Sequence, residues 1–259
     1  MSMRMDELSR LHQRYTIQAG WTDSLRKTWF ERHLPPGPAR VLDLGCGTGA
    51  LFKTLLSHHP TARLTGVDID PAPLHLAQQH VGRLPLDLAS ADAHQLPFTD
   101  RVFDTAICHF LLLWVADPAR VLREMRRVTA PGGWVAAFAE PDYGARLDYP
   151  DELAELGRLQ TLSLRSQGAD PCIGRELRAL FTYAGLEAVS VGVLGGEWSQ
   201  AFDEVTFQSE WSTLRADVQE RLSPAELDRL EAVDHAAWQR GERVLFVPTF
   251  YAWGRVPEP

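Results

Sequence analysis

Cysteine is scarce in this sequence. The 259 residues contain three, Cys46, Cys108 and Cys172, odd in number and far apart. That excludes a disulfide framework and suits a reducing compartment, so the cytoplasm is the expected location. An excess of positive charge is also missing: 26 Lys and Arg stand against 34 Asp and Glu, a formal net charge of -8. A protein that grips a nucleic-acid backbone needs a basic face to displace counterions, so no nucleic-acid partner is expected. The longest apolar run, Phe110 to Ala116, falls well short of the ~20 residues that cross a bilayer. Met1 to Arg14 lacks the apolar stretch and small-residue cleavage site of a secretory signal. Repeats and low-complexity segments are absent. His58, His59, His75, His80 and His94 have no spacing that gathers them on one helix or strand face, and no metal site is expected.

What is present is enough apolar sequence, 45%, for one substantial core. Pro35-Pro36-Gly37-Pro38 breaks the chain, and Arg40 to Leu44 then reads as a short buried strand. A regular alternation follows: helix Thr48 to Ser57, strand Arg63 to Val67, helix Pro71 to Val81, strand Leu86 to Ala91, strand Val102 to Cys108, helix Pro118 to Val128, strand Gly133 to Ala139. Alternating strands and helices predict an α/β fold, a parallel sheet covered on both faces. Beyond it the pattern loosens into an amphipathic helix over Tyr149 to Gln167, a helix Gly174 to Ala184, and a strand Leu186 to Gly195. Helices over Phe202 to Asp217 and Pro224 to Arg240 precede a last strand, Val244 to Val256. Trp198, Trp211, Trp238, Phe250, Tyr251 and Trp253 are expected mostly in the core.

The chemistry gathers at Val41-Leu-Asp-Leu-Gly-Cys-Gly-Thr-Gly49, a strand entering a glycine-rich turn. Gly45, Gly47 and Gly49 allow a tight turn and a close ligand. Gly45, Gly47 and Ala50 also satisfy the dinucleotide fingerprint, so the turn alone does not choose a cofactor. Asp43, two residues earlier, suits a cationic ammonium and would repel a pyrophosphate. Asp68, in Gly66-Val-Asp68-Ile-Asp70 about 20 residues on, suits a ribose diol. Asp70 before Pro71 reads as a helix cap, and Asp104 as a support for its strand. Ala91-Asp92-Ala93-His94-Gln95-Leu96-Pro97-Phe98 and Leu122-Arg-Glu-Met-Arg-Arg-Val-Thr-Ala-Pro-Gly-Gly133 complete the series.

In these ordered motifs, Arg40 to Ala139 resembles the class I, Rossmann-like, S-adenosylmethionine-dependent methyltransferases. The likeness is to their small-molecule branch, similar to the ubiquinone/menaquinone-biosynthesis type. The resemblance implies a doubly wound, mostly parallel seven-stranded sheet with helical additions, and S-adenosylmethionine as cofactor. It also implies that Asp43, Gly45, Cys46 and Gly47 line the methionine part, Asp68 binds the ribose, Ile69 packs on adenine, Asp92 and Ala93 meet the adenine edge, and His109 sits near the sulfonium. Independently, ligands of such sheets bind beyond the carboxyl ends of the strands, which puts Gly45, Asp68, Asp92 and His109 on one rim. After the fourth strand the sequence has Cys108-His-Phe-Leu111 instead of the Asn/Asp-Pro-Pro-Tyr/Phe of amino-methylating nucleic-acid enzymes, or the Pro-Cys of cytosine C5 enzymes.

The expected organisation is a single domain: an N-terminal helical lid (1–36), a cofactor-binding core (37–140), helical cap segments (141–172 and 202–240), and stretches completing the sheet (173–201 and 241–259). Tyr15, Gln18 and Trp21 fall at i, i+3 and i+6, one helical face that either folds over the site or packs in the core. Glu140 and Tyr143 follow the fifth strand and are candidates for acceptor contact, with structural roles as the alternative. If the acceptor needs a base, His109 or Glu140 would supply it. The expected partner is a small-molecule methyl acceptor, with the chain a monomer or homodimer. Two other readings stay open: a non-catalytic S-adenosylmethionine-binding or partner-binding protein, and a nicotinamide-dependent oxidoreductase.

Overall fold

The computed structural model describes residues 5–35, 37–81, 86–195 and 202–258. Pro36 and Trp198 lie outside them. Strand β1 (Arg40–Leu44) is flanked in parallel by β2 (Arg63–Asp68) and β4 (Phe103–Cys108), and β3 (Leu86–Ser90) lies outside β2. On the other side β5 (Thr129–Pro141) pairs in parallel with β4. Antiparallel β9 (Thr249–Arg255) sits between β5 and β7 (Glu187–Leu194), giving the order β3-β2-β1-β4-β5-β9-β7. The sheet is the doubly wound, mostly parallel seven-stranded one expected.

Side chains alternate across the sheet. Leu42, Leu44, Ala106, Cys108, Val135 and Ala137 face one core, shared with α5 (Pro118–Val128) and α7 (Leu177–Tyr183). Val41, Ile107, Ala136 and Phe138 face the other, shared with α2 (Asp23–His33), α3 (Phe52–His58) and α4 (Pro71–Val81). Burial on both sides is why β1, β4 and β5 are nearly continuous apolar runs. Trp29 clamps α2 to its face, its ring 5.3 Å from Phe138 and 5.4 Å from Phe30. Helix α5 starts where Asp117 accepts the Arg120 N–H at 2.8 Å and Pro118 takes the first turn.

Several boundaries differ from expectation for local reasons. The helix expected from Thr48 begins at Phe52, because Gly47 and Gly49 adopt φ of 51° and 74°. The region expected as one helix from Tyr149 starts instead with β6 (Leu147–Tyr149), paired antiparallel with β8 (Val244–Phe246), and α6 runs only over Ala154–Ser166. The expected last strand is cut at Pro248 into β8 and β9, since proline cannot donate to a ladder. A 3-10 turn, Ile173–Glu176, precedes α7. The N-terminal helix α1 (Met5–Trp21) is joined to α2 at Thr22. Helices α8 (Glu204–Val218) and α9 (Pro224–Gln239) share a third apolar cluster with Leu153, Leu156 and Leu159. This builds a cap beside the carboxyl end of the sheet.

Candidate active site

Strand order reverses between β1 and β4, and a crevice opens beyond their carboxyl ends. The turn after β1 is tied to β2, because the Gly45 and Cys46 N–H groups donate to the Val67 carbonyl at 2.7 and 3.0 Å. Gly45 takes φ 72°, and a Cβ there would stand 2.8 Å from Leu111 Cδ1. At Gly47 it would stand 3.0 Å from Tyr15 Cε2. Asp68 holds the turn from β2: Oδ2 accepts the Gly47 N–H at 2.8 Å and Oδ1 that of Asp70 at 3.0 Å. Asp70 in turn accepts the Ala72 N–H at 2.9 Å, a local bond at the start of α4.

Asp43 is buried, and its Oδ2 has no hydrogen-bond partner. Burial pushes its carboxyl up to about 7, against the opposing pull of Arg26 and with a further push from Asp68. An orphaned carboxylate oxygen facing a cleft is costly unless a donor or cation arrives. Arg26, fully buried, donates to the Ala19 carbonyl at 2.8 Å and to Thr22 Oγ1. Thr22 Oγ1 lies 3.0 Å from His109 Nε2. With Arg26 donating to Thr22, the threonine hydroxyl has one proton to give, shared between the Ala19 carbonyl at 3.3 Å and a neutral His109 imidazole. Burial, with Arg26 adding to it, holds the His109 imidazole down to about 3.

Two cavities adjoin. One, of ≈ 300 Å³, is lined by Asp43, Gly45, Cys46, Gly47, Asp68 and Ile69, together with His109. Ile69 is 70% exposed at its wall. The other, of ≈ 380 Å³, lies under the cap, with Trp21, Trp211 and Arg243 in its wall. Six side chains line both: Arg14, Tyr15, Gln18, Trp114, Tyr143 and Leu164. Of the residues singled out in the sequence, Asp92, Ala93 and Glu140 line neither. Asp92 turns back on its own loop, accepting the His94 N–H at 2.9 Å with His94 Nδ1 at 2.7 Å. Ala93 packs against the core. Glu140, a candidate for acceptor contact or for a structural role, is fully buried and accepts three backbone N–H groups, from Leu111, Leu112 and Leu113. Burial pushes its carboxyl up to about 8 against those donors. It is a structural pin for the loop after β4, unable to reach a substrate proton.

Arg14, Arg26, Thr22 and Trp114 were not singled out from the sequence. A lone arginine on an apolar helix face, as at Arg26, is the only signal, and it does not say what the charge meets. The Asp92 to Phe98 motif has a packing reason. Arg127 of α5 donates to the Leu96 and Phe98 carbonyls at 3.0 and 2.8 Å, while Glu124 accepts the Leu96 N–H at 2.8 Å. Among the described residues no group of His, Cys, Asp and Glu could hold a metal ion, and no helix is long and apolar enough to cross a membrane.

Residues 42–137 match the methyltransferase domain family. The chain is 34% identical over 140 residues to a phosphatidylethanolamine N-methyltransferase of Cereibacter sphaeroides, covering 51% of this chain and 68% of that protein. It is 33% identical over 152 residues to the demethylmenaquinone methyltransferase of Deinococcus radiodurans, covering 55% and 61%. The chain spans 58% of the first curated relative it matches, an uncharacterised transposon-encoded protein of Streptomyces fradiae. Among solved structures, a methyltransferase seen in complex with the Trm112 activator of Haloferax volcanii superposes with TM-score 0.62 at 18% identity, over 98% of this chain and 97% of that one. With the sheet order, the glycine turn between Asp43 and Asp68 and these relatives together, the chain belongs to the class I, Rossmann-like family of S-adenosylmethionine-dependent methyltransferases, and its cofactor is S-adenosylmethionine.

Proposed function

We propose that the protein transfers the methyl group of S-adenosylmethionine to an N, O, S or C atom of a small molecule. The reading rests on one observation: the cavity at the glycine turn adjoins, across six shared lining residues, a second cavity beneath the cap. Asp43 offers its orphan oxygen to the cofactor's ammonium. Gly45, Cys46 and Gly47 give it bare backbone, and Asp68 keeps lone pairs for the ribose hydroxyls although each oxygen already accepts one N–H. Ile69 presents an exposed apolar face to adenine. The cavity walls give no support to the adenine contacts expected of Asp92 and Ala93.

When bound, the sulfonium supplies an activated methyl group, so the protein's task is to align the acceptor and exclude water. His109, held neutral and low, is a weak proton acceptor, and its pairing with Thr22 makes it a positioning residue for α1 and α2. Tyr143 and Gln18 stand where the cavities meet and can orient the attacking atom, with Tyr15 and Trp21 closing the sides. A chamber of ≈ 380 Å³ is the size of a small-molecule site.

The test is calorimetric titration with S-adenosylmethionine, S-adenosylhomocysteine and NADH on the wild type and Asp68→Ala, followed by an acceptor screen read by S-adenosylhomocysteine formation. Binding of the sulfonium cofactor, weakened at least about tenfold in the variant, supports the reading. Binding of NADH alone overturns it, and tight cofactor binding without turnover on any acceptor returns the protein to the non-catalytic alternative.

A further inference from the structure

The cap cavity carries more charge than a site for an apolar acceptor needs. Its wall includes Arg14, Arg146 and Arg243 and also Glu210, Asp217 and Asp234. Two of the arginines are already neutralised behind the wall. Buried Asp148 accepts from Arg146 at 2.6 Å and from Arg243 at 2.7 Å, and Arg243 also pairs with Asp234. Asp234 takes the Trp211 indole N–H at 2.6 Å as well. This set is a closed network of two cations and two carboxylates, which fixes β6, α8 and α9 to one another.

What remains is one cation against two carboxylates. Among the described residues Asp217 is bonded only by the neutral Gln160 amide, at 3.0 Å, and Glu210 has no hydrogen bond or ion pair. The two lie seven residues apart on α8, so they share its chamber-facing side. Tyr143, whose hydroxyl has no partner among the described residues, stands close enough to feel both acids as well as Arg14 and Arg146. Desolvation and Asp234 raise the Glu210 carboxyl while Arg243 and Arg146 pull it the other way, and the residue stays exposed, so a cation entering the chamber can reach it. Aliphatic and polar side chains make up much of the remaining wall, and two large rings stand open in it: Trp21 is 54% and Trp114 44% exposed, faces that a ligand would cover.

We propose that the cap cavity selects a cationic acceptor, a small molecule with an aliphatic ammonium group held by Glu210 and Asp217 and flanked by the Trp21 and Trp114 rings. The inference rests on the methyltransferase reading, because the cavity counts as an acceptor site only if the adjoining one holds S-adenosylmethionine. Carboxylate and ring face are the two environments in which an ammonium is favoured over a neutral isostere. The excess of acid over base disfavours an anionic acceptor, for which Arg14 alone is available.

The protein loaded with S-adenosylhomocysteine is titrated with phenethylamine and tryptamine, with the neutral isostere of the first, phenethyl alcohol, and with the anionic 3-phenylpropionate. The expected result is that the amines bind at least about tenfold more tightly than the alcohol, with the carboxylate weakest. Glu210→Gln and Asp217→Asn should each remove much of that preference, while S-adenosylhomocysteine affinity, the check on folding, stays at the wild-type value. Equal binding of amine and alcohol, preference for the carboxylate, or no binding of any probe to the loaded protein overturns the proposal. Failure of S-adenosylhomocysteine to bind at all overturns the methyltransferase reading instead, so the two failures are distinct.

Discussion

The Glu140 carboxylate at the end of β5 accepts the backbone N–H of Leu112 at 2.9 Å, across the gap between two strand ends. With Leu111 and Leu113 bonded to the same group, three donors that β4 leaves behind are satisfied by one side chain. Glu140→Gln keeps the shape but turns an amide N–H₂ toward a donor. It should cost about 1–3 kcal/mol of stability, read from urea unfolding, and perturb cofactor affinity through Leu111, which lies against Gly45.

Three buried groups with large shifts contribute to the pH dependence. Glu140, raised from 4.5 to about 8, and Asp43, raised from 3.8 to about 7, bind protons more tightly in the folded state. Their contribution is therefore present at low pH and lost as pH rises through those ranges. His109, lowered from 6.5 to about 3, acts oppositely, and its contribution is lost as pH falls below about 6.5. Glu140→Gln should therefore flatten the decline in unfolding free energy between pH 5 and 8. A steeper decline in the variant would contradict the assignment.

On the proposed function, Asp43 meets the cofactor's ammonium in its ionised form. Affinity for S-adenosylhomocysteine, whose ammonium is the same as the substrate's, should rise with pH toward about 7 and level off above it. Titrations in buffers of different ionisation enthalpy should show proton release below that point. Asp43→Asn should weaken binding at least about tenfold and abolish the proton release.

The imidazole of His109 should stay neutral from pH 5 to 8. Its nitrogen-15 shifts, assigned with a His109→Gln variant, should not move over that range, and a midpoint near 6.5 would refute the role given to Thr22 and Arg26.

Gly45→Ala places a methyl group 2.8 Å from Leu111 Cδ1 at φ 72°. Backbone strain alone costs about 1–2 kcal/mol, and the glycine turn should open. The measurable result is a lower thermal midpoint together with weaker S-adenosylhomocysteine binding.

The parallel half of the fold was legible because its signals are local. Val41 to Gly49 shows a buried strand, a turn and their junction within nine residues, and Asp68 follows at the expected spacing. The cap was less legible. Leu147 to Tyr149 becomes a strand only because Val244 to Phe246, almost a hundred residues later, lies alongside, and no period within the segment records that pairing. For a related reason the sequence leaves Glu140 open between acceptor contact and a structural role. An acid at a strand end looks available to a ligand, and only the path of Leu111 to Leu113 shows that its lone pairs are taken. The pairing of Arg26 with Thr22 and the leftover acids of α8 are likewise properties of assembled elements.

Arg14, Tyr15 and Gln18 belong to helix α1 and to both cavities at once. The same helix is anchored at the glycine turn, where His12 Nδ1 lies 2.9 Å from Thr48 Oγ1. On the proposed function, donor and acceptor would therefore both press on α1, and the one that arrives first would set the surface that the other meets. By linkage, the factor by which S-adenosylhomocysteine tightens an amine must equal the factor by which the amine tightens S-adenosylhomocysteine. On that reading a spent cofactor that holds α1 down would delay its own departure, and the pace of turnover would then be a property of the N-terminal helix.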